Sequence, residues 1–480
     1  MLVRQSADTF IRVIDNFGYI YNHTTKIDRI YNETGSDYLS CISRTPQDVE
    51  EIVSKQLLPL YEDVTYEELL SDFSSFINEL CKMGFLLVGE SAREIDDEER
   101  NLKAQAKSFV EYSQRLEETG DVQTIESFAY SASRERPYLM SLQFELTSKC
   151  NERCIHCYIP NPKKDEGKEL TLPVFEKVIK QFRDMGGLQV SLSGGEILLH
   201  KDIWRMVKIC RENDLQVALL SNLYFLKDED VSRMKEANIS MVQTSLYSMN
   251  PEIHDHITQL KGSYDKTRRA IETLVRNEIP VSISCPLLKA NKDCYADILQ
   301  YAHSLGIKTQ TDFILMAKEN YETDNLENRI LINDCEKIIR LILENNMRDT
   351  DDYIKKNVRK NAKTMLSGDA PVCAAGIYNL CISSNGNAYP CNGWQTFTVG
   401  NINHESLQEI WNNSAELNKL RSIKLSDFQE CTDCDAAEFC SICMARNSNE
   451  SGGNPLKLNP HFCEIAHLNK KIYEESFPVN

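Results

Sequence analysis

The chain has 480 residues, too many for a single ordinary core, so we expect two or three domains. Acidic residues outnumber basic ones by 72 to 54, and the net charge of −18 repels phosphate backbones, so nucleic acid is not an expected partner. No apolar signal region opens the chain and no long apolar stretch follows, which predicts a cytoplasmic protein without a membrane segment. In reducing conditions its 17 cysteines favour metal binding over disulfides.

The first domain is predicted over residues 1–92. Alternating apolar residues at 10–21, interrupted at 15–18, indicate a hairpin. Residues 45–48 place the Thr45 hydroxyl as a cap before a helix that starts at Pro46, and residues 65–68 fit a capping box for a second helix. A short strand at 85–88 would return after it. This order of elements predicts a winged-helix-like domain.

An acidic run at 94–100 opens a polar, helix-prone linker, predicted over residues 93–137. From 138 to 345, β-like runs alternate with helical patterns, as is typical of parallel βα units. Six repeats predict an α/β fold, a partial TIM-like (βα)6 barrel whose chemistry lies at the carboxyl ends of its strands. The predicted strands are 140–146, 188–193, 215–220, 240–246, 280–285 and 307–313.

Three cysteines, Cys150, Cys154 and Cys157, follow the first predicted barrel strand with the spacing Cys-x3-Cys-x2-Cys. A 4Fe-4S cluster normally takes four thiolates, so three leave one iron without a protein ligand. Such an iron can chelate the amino and carboxylate groups of S-adenosylmethionine (SAM). With the aromatic His156 before the last cysteine, the motif resembles that of the radical SAM superfamily, which implies a 4Fe-4S cluster and bound SAM. Packing or zinc-binding cysteines are the alternative.

The second strand ends in Gly194-Gly195-Glu196, and paired glycines let the backbone approach a ligand closely. At this place they resemble the family motif that receives the methionine amino group, with Glu196 as the carboxylate partner. Polar residues at the next strand ends would hold the ribose and carboxylate, while His254 and His256 are expected to have surface or capping roles. No residue stands out as a catalytic acid or base. The resemblance implies these cofactor-binding residues: His156, Tyr158, Gly194, Gly195, Glu196, Ser221, Asn222, Gln243 and Ser245.

The last segment, residues 365–480, contains eight cysteines between 373 and 463. Its Gly-x4-Cys and Cys-x2-Cys-x5-Cys elements resemble the SPASM extension of radical SAM peptide-modifying enzymes, which implies two auxiliary 4Fe-4S clusters and three clusters in all. Structural zinc is the rival, because Cys-x2-Cys pairs also bind zinc. By resemblance, one cluster is held by Cys431, Cys434, Cys440 and Cys463, and the other by Cys373, Cys391 and Cys443, with Cys381 a further candidate.

Residues 1–90 resemble, in element order, the PqqD-like peptide-recognition element, and 15 acidic against 7 basic residues disfavour duplex DNA. That likeness implies that the leader of a precursor peptide binds by strand addition. Together the resemblances imply a radical SAM oxidoreductase, a maturase that installs sactionine- or ranthipeptide-type thioether crosslinks in a ribosomally made peptide. A flavodoxin or ferredoxin would donate electrons. The alternatives are a carbon-carbon crosslink, a formylglycine-type oxidation, or a non-catalytic zinc and peptide-binding protein.

Overall fold

The computed structural model describes residues 1–119, 136–312, 315–347, 372–373, 375–440 and 442–476. The chain divides into two compact units, Met1–Ala132 and Ser133–Asn480. Residue 365, where the C-terminal domain is predicted to start, lies outside the described residues, as do residues 120–135 of the predicted linker. Of the helices in the described ranges, none has the length and apolar content needed to cross a membrane.

The first unit contains six strands within the described residues: Leu2–Gln5 (β1), Thr9–Ile14 (β2), Phe17–Asn22 (β3), Asp28–Asn32 (β4), Gln47–Asp48 (β5) and Leu86–Gly89 (β6). They form two three-stranded sheets, ordered β5-β1-β6 and β2-β3-β4. The predicted hairpin is confirmed: Ile14 of β2 pairs with Phe17 of β3 across a two-residue turn, in which Asp15 has φ 49°. The returning strand is confirmed as β6, which pairs with β1.

Four α-helices lie in the described part of this unit: Thr34–Ser40 (α1), Val49–Ile52 (α2), Tyr66–Lys82 (α3) and Ala92–Thr119 (α4). The capping box of Thr65 and Glu68 at the start of α3 is confirmed. The prediction for α2 is wrong, because Asp48, and not Thr45, is the cap: its carboxylate accepts from the Glu51 N–H at 3.0 Å. Residues 47 and 48 pair with β1, so the sheet holds this segment extended and delays the helix by three residues.

Residues 93–119 of the predicted linker lie in the single helix α4, which has 28 residues and belongs to the N-terminal unit. Phe109 of α4 packs on Gly84, where an added Cβ would lie 2.7 Å from the ring. Arg4 of β1 forms ion pairs with Asp96 and Glu99 of the same helix. Helix α4 therefore covers the β1 sheet, and its polar composition reflects one solvent-facing side.

The barrel strands are confirmed to within a few residues: Ser141–Thr147 (β7), Gln189–Gly194 (β8), Gln216–Leu220 (β9), Met241–Ser245 (β10), Val281–Ser284 (β11) and Lys308–Gln310 (β12). All six run parallel in sequence order, which confirms the partial barrel; residue 313 of the last predicted strand lies outside the described residues. Leu142, Phe144 and Leu146 of β7 are fully buried. The associated helices are Asn161–Glu166 (α5), Leu172–Asp184 (α6), Ile203–Glu212 (α7), Asp228–Glu236 (α8), Pro251–Thr258 (α9), Ser263–Arg276 (α10), Tyr295–Leu305 (α11) and Ile332–Met347 (α12).

The cysteine-rich segment extends the barrel sheet. Strand Asn379–Ile382 (β13) pairs in parallel with β7, and Asn387–Tyr389 (β14) and Gly400–Asn401 (β15) continue outward from it. One apolar core includes residues of both regions, such as Phe144 and Ile410. The remaining helices are Leu407–Asn413 (α13), Ala415–Arg421 (α14), Gln429–Thr432 (α15), Met444–Ser451 (α16) and Pro460–Ser476 (α17).

Candidate cofactor site and cysteine clusters

The loop that carries Cys150, Cys154 and Cys157 connects β7 to α5. Its backbone is attached to the end of α9, because the Ile155 N–H donates to the Ile257 carbonyl at 3.0 Å. The Arg153 side chain donates to the Cys150 carbonyl at 2.7 Å, which folds the loop on itself. These contacts hold the three cysteines at the carboxyl end of the first barrel strand.

A cavity of about 250 Å³ lies beside this loop at the carboxyl ends of the strands, as the barrel architecture predicts. Most of the predicted cofactor-site residues line it: Cys150, Cys154, His156, Cys157, Gly194, Gly195, Ser221, Asn222, Gln243 and Ser245. Glu196 and Tyr158 are not on its wall. Other residues that line the cavity were not indicated by any sequence motif, namely Glu152, Ile159, Lys164, Ser193, Leu220, Thr244, Tyr247 and Ser284.

The paired glycines after β8 pack against the backbone of the cysteine loop. A Cβ on Gly194 would lie 2.4 Å from the Thr147 carbonyl oxygen, and one on Gly195 would lie 2.1 Å from that of Lys149. Gly194 also has φ 138°, which residues with a side chain rarely adopt. The two glycines therefore let the end of β8 pack closely against the cysteine loop. Both glycines also line the cavity, where a ligand would meet them.

Glu196 differs from its predicted role as a direct partner of a bound ligand. Its carboxylate is fully buried and accepts hydrogen bonds from the Leu198 N–H at 2.9 Å, the Ser221 hydroxyl at 2.7 Å and the Asn222 N–H at 2.8 Å. Burial raises the pKa of Glu196, and these three donors oppose that rise. In this structure Glu196 supports Ser221 and Asn222 from beneath the cavity wall.

His156 contributes an uncharged ring to the cavity. Burial lowers its pKa to about 4, and its Nε2 lies 3.4 Å from the Tyr247 hydroxyl. Its Nδ1 is buried without a hydrogen-bond partner among the described residues, as is the Asn151 Nδ2 nearby. Unsatisfied buried polar atoms are uncommon in native proteins, and a ligand in the cavity would supply partners. His254, for which a surface or capping role was expected, is 1% exposed and packs against Tyr247, so the surface role is wrong. Its Nδ1 accepts a hydrogen bond from the Tyr247 N–H at 3.3 Å, which agrees with the capping alternative.

Tyr158 points away from the cavity and joins a buried polar network. Its hydroxyl donates to Glu145 at 3.5 Å, and burial raises the pKa of Glu145 to about 7. Lys163 forms an ion pair with Glu319 at 2.7 Å in the same network. The thiol of Cys381 lies close enough to Glu145 for the carboxylate to raise the cysteine pKa further. The network therefore lies between the cysteine loop and the cysteine-rich segment.

The structure brings Cys431, Cys434, Cys440 and Cys463 together, as predicted. They line one cavity of about 140 Å³, whose other walls are mainly apolar, including Leu425, Ile442 and Leu458. Burial raises the pKa of Cys440 to about 12, and the neighbouring sulfurs add to that rise. Four convergent sulfurs in an apolar pocket form a donor set that suits an iron-sulfur cluster.

Cys373, Cys391 and Cys443 form a second group in the same segment. Burial raises the pKa of Cys373 to about 12, and the sulfurs of Cys443 and Cys391 contribute to the rise. Cys381 lies on β13, 1% exposed, with Cys391 near enough to raise its pKa as well. All 17 cysteines lie within the described residues and none forms a disulfide.

The donor sets fit iron-sulfur clusters. Burial raises the pKa of Cys150 to about 11, so a thiolate there needs a neighbouring cation, which iron supplies. Sulfur-only sets of three and four ligands match the ligation of 4Fe-4S clusters. The cavity beside the three-cysteine loop, with polar side chains at four strand ends, has room for an additional small molecule.

Comparisons with known proteins agree with this assignment. Residues 144–302 match the model of the radical SAM superfamily, and residues 373–435 match that of the SPASM iron-sulfur cluster-binding domain. An AdoMet-dependent heme synthase of Methanosarcina barkeri is 25% identical over 342 residues, covering 67% of this chain and 95% of the relative. The antilisterial bacteriocin subtilosin biosynthesis protein AlbA of Bacillus subtilis is 27% identical over 334 residues, covering 67% of this chain and 70% of AlbA.

Among solved structures, SuiB of Streptococcus suis bound to precursor peptide SuiA aligns with a TM-score of 0.61 at 14% identity, covering 95% of this chain and 98% of SuiB. At that identity the alignment establishes a shared fold. The matches and the cysteine-lined cavity lead to one assignment: the chain contains a radical SAM domain over residues 144–302 and a SPASM iron-sulfur cluster-binding domain over residues 373–435.

Proposed function

We propose that the chain is a peptide maturase that reductively cleaves SAM and installs thioether crosslinks, from cysteine sulfur to carbon, in a ribosomally synthesised precursor peptide. The observation that carries this proposal is that one sheet joins the cavity beside the three-cysteine loop to the cysteine-rich segment. Cys381 pairs in register with Gln143, four residues before the end of β7, which corresponds to about 13 Å along the strand. A substrate could therefore meet both regions at once.

The relatives favour a peptide substrate over a porphyrin. AlbA takes part in bacteriocin biosynthesis and SuiB binds a precursor peptide, as their names state. The match to the heme synthase covers 67% of this chain, whereas the alignment with SuiB covers 95%, so it must include most of the N-terminal unit. Because this additional unit is shared with SuiB, a peptide is a better candidate substrate than a porphyrin.

In this proposal Cys150, Cys154 and Cys157 hold the first 4Fe-4S cluster, which leaves one iron for SAM. When bound, the cluster supplies the electron for reductive cleavage of SAM, the source of the hydrogen-abstracting radical. The protein's own residues bind and orient. Asn222, Gln243 and Ser245 present polar side chains to the cavity, and Gly195 fixes the cysteine loop beside them.

The SPASM segment would hold two further clusters, three in total. Cys431, Cys434, Cys440 and Cys463 supply one complete ligand set. Cys373, Cys391 and Cys443 supply the other, with Cys381 as the candidate fourth ligand. If Cys381 is not a ligand, one iron remains open to a substrate thiolate, which would hold the sulfur for bond formation.

The N-terminal unit would act as a PqqD-like domain that binds the leader of the precursor peptide. Its β2-β3-β4 sheet leaves β2 with one strand neighbour among the described residues, so an extended peptide could add there. Strand addition reads mainly backbone, and it would retain the leader while the core sequence varies. Electrons would come from a flavodoxin or ferredoxin, as is expected of a reductive step without an internal donor.

Co-expression with a cysteine-rich precursor encoded beside the gene tests the proposal by mass spectrometry. Each thioether removes two hydrogens and leaves one cysteine that alkylating reagents cannot label. A peptide that loses hydrogens but keeps every thiol reactive would indicate a carbon-carbon crosslink, and an unchanged mass would contradict peptide modification. Iron analysis of anaerobically prepared protein should give about twelve irons per chain, and zinc alone would contradict the enzyme assignment.

A further inference from the structure

A buried lysine lies on the wall of the cofactor cavity. Lys164 is 4% exposed and belongs to α5, the helix that directly follows the cysteine loop. Of the described residues that line the cavity, it is the one with a lysine or arginine side chain. Neither the cysteine spacing nor the glycine motif indicates a cation at this place, and nothing in the proposed function above uses it.

The local structure holds Lys164 in this position. The Lys164 N–H donates to the Pro160 carbonyl at 3.3 Å, at the start of α5. One residue further on, Asp165 forms an ion pair with Arg153 at 2.6 Å, which ties the outer side of α5 to the cysteine loop. Gly167, with φ 61°, ends the helix. The helix is therefore fixed against the loop with Lys164 on its inner side.

The buried ammonium group has no carboxylate partner in the described part of the chain. Glu152 lies close enough for Lys164 to lower the carboxyl pKa, yet the two form no ion pair. The thiols of Cys150, Cys154 and Cys157 line the same cavity as Lys164. A buried ammonium without a carboxylate partner is costly unless an anion binds it.

SAM carries such an anion, the carboxylate of its methionine part, together with an ammonium and a sulfonium. The polar wall residues Asn222, Gln243 and Ser245 are uncharged, so they cannot form an ion pair with a carboxylate. The wall thus presents one acidic side chain, Glu152, and one basic side chain, Lys164, as a zwitterionic ligand requires. We propose that Lys164 receives the SAM carboxylate and so holds the methionine part of SAM against the cysteine loop.

This inference rests on SAM binding and not on the peptide chemistry, so it is tested without substrate. Cluster-loaded full-length protein is titrated with SAM and with decarboxylated SAM, which lacks only the carboxylate. Wild type is compared with Lys164→Met, which keeps the length of the side chain and removes its charge. A charge-assisted hydrogen bond predicts that Lys164→Met weakens SAM binding about 10- to 100-fold and changes binding of the decarboxylated ligand less than about threefold.

Two further variants separate binding from folding. Lys168→Met removes the same charge from an exposed lysine paired with Glu166 and should bind both ligands as wild type does. Lys164→Arg should retain most of the preference for SAM. If Lys164→Met does not load iron, Lys164→Gln gives the same comparison, because it also removes the charge.

An unchanged SAM affinity in the iron-loaded Lys164→Met protein would overturn the proposal. Equal losses for both ligands would also overturn it, because they would show that Lys164 supports the loop rather than the carboxylate. A precursor peptide that stays unmodified while the preference for SAM depends on Lys164 would contradict the thioether assignment alone.

Discussion

Substituting Gly195 with alanine tests how the glycine motif acts on the cysteine loop. The added Cβ would lie 2.1 Å from the Lys149 carbonyl oxygen, about 0.9 Å inside the closest approach of 3.0 Å that real Cβ atoms make. Relieving this clash moves the residue directly before Cys150 and breaks the hydrogen bond from the Glu196 N–H to the same oxygen, now 2.7 Å. Overpacking costs about 1–3 kcal/mol and the lost hydrogen bond about 1 kcal/mol, so we expect the free energy of unfolding to fall by about 2–4 kcal/mol.

Gly306→Ala is the matched control, because Gly306 has φ 66° but nothing within 4 Å of an added Cβ. Its free energy of unfolding should fall by only about 1 kcal/mol, the cost of placing an alanine in the left-handed conformation. Chemical denaturation gives the free energy of unfolding, and iron analysis reports on the cluster site. We expect Gly195→Ala to be the less stable variant and to lose about four irons per chain. Equal stability of the two variants with full iron content in Gly195→Ala would refute the reasoning.

Other substitutions test separate parts of the molecule. Glu196→Gln should lower the free energy of unfolding by about 2–3 kcal/mol in a denaturant titration, because three donors lose a buried charged acceptor, and unchanged stability would contradict its supporting role. The His254 pKa falls from 6.5 to about 4 on burial, so stability should be full above pH 6.5 and fall by up to about 3 kcal/mol as pH drops toward 4. His254→Phe should reduce that slope and the exposed His256→Phe should not; equal slopes would refute the assignment. Phe109→Ala should lower the unfolding free energy by about 3–5 kcal/mol if α4 covers the N-terminal sheet, and a melting temperature equal to that of wild type would contradict that packing.

The barrel could be predicted because its signals are local. Each strand is a short apolar run such as Leu142–Phe144–Leu146, and each is followed by a helical pattern, so strand positions were correct to within a few residues. The cysteine groups could also be predicted, because their members stand at characteristic spacings in the sequence. The structure groups Cys431, Cys434, Cys440 and Cys463 as the resemblance to the SPASM extension implies.

Features that depend on contacts between distant residues could not be predicted. Pairing of β13 with β7 joins residues more than 200 positions apart, and no local pattern specifies it. Thr45 has as good a capping side chain as Asp48, and the sheet contact of residues 47–48 with β1 decides between them. The burial of His254 depends on Tyr247 and Tyr264, whose rings enclose it.

The position of Lys164 on the cavity wall could not be predicted from the sequence either. In the sequence it is one of two adjacent lysines, Lys163 and Lys164, after the cysteine motif, a pattern that usually indicates a solvated surface. The helix turns them in different directions, Lys163 to Glu319 and Lys164 to the cavity. Only the three-dimensional arrangement distinguishes a structural ion pair from a ligand-facing cation.

Reductive cleavage of SAM at the three-cysteine loop is tested by release of 5′-deoxyadenosine from anaerobically reconstituted protein supplied with a strong reductant. We expect release by the wild type, and none when Cys150, Cys154 and Cys157 are all replaced by alanine while the Cys431 group keeps its iron. A wild type that releases no deoxyadenosine, or a triple variant that releases it at the wild-type rate, would contradict cleavage at this loop.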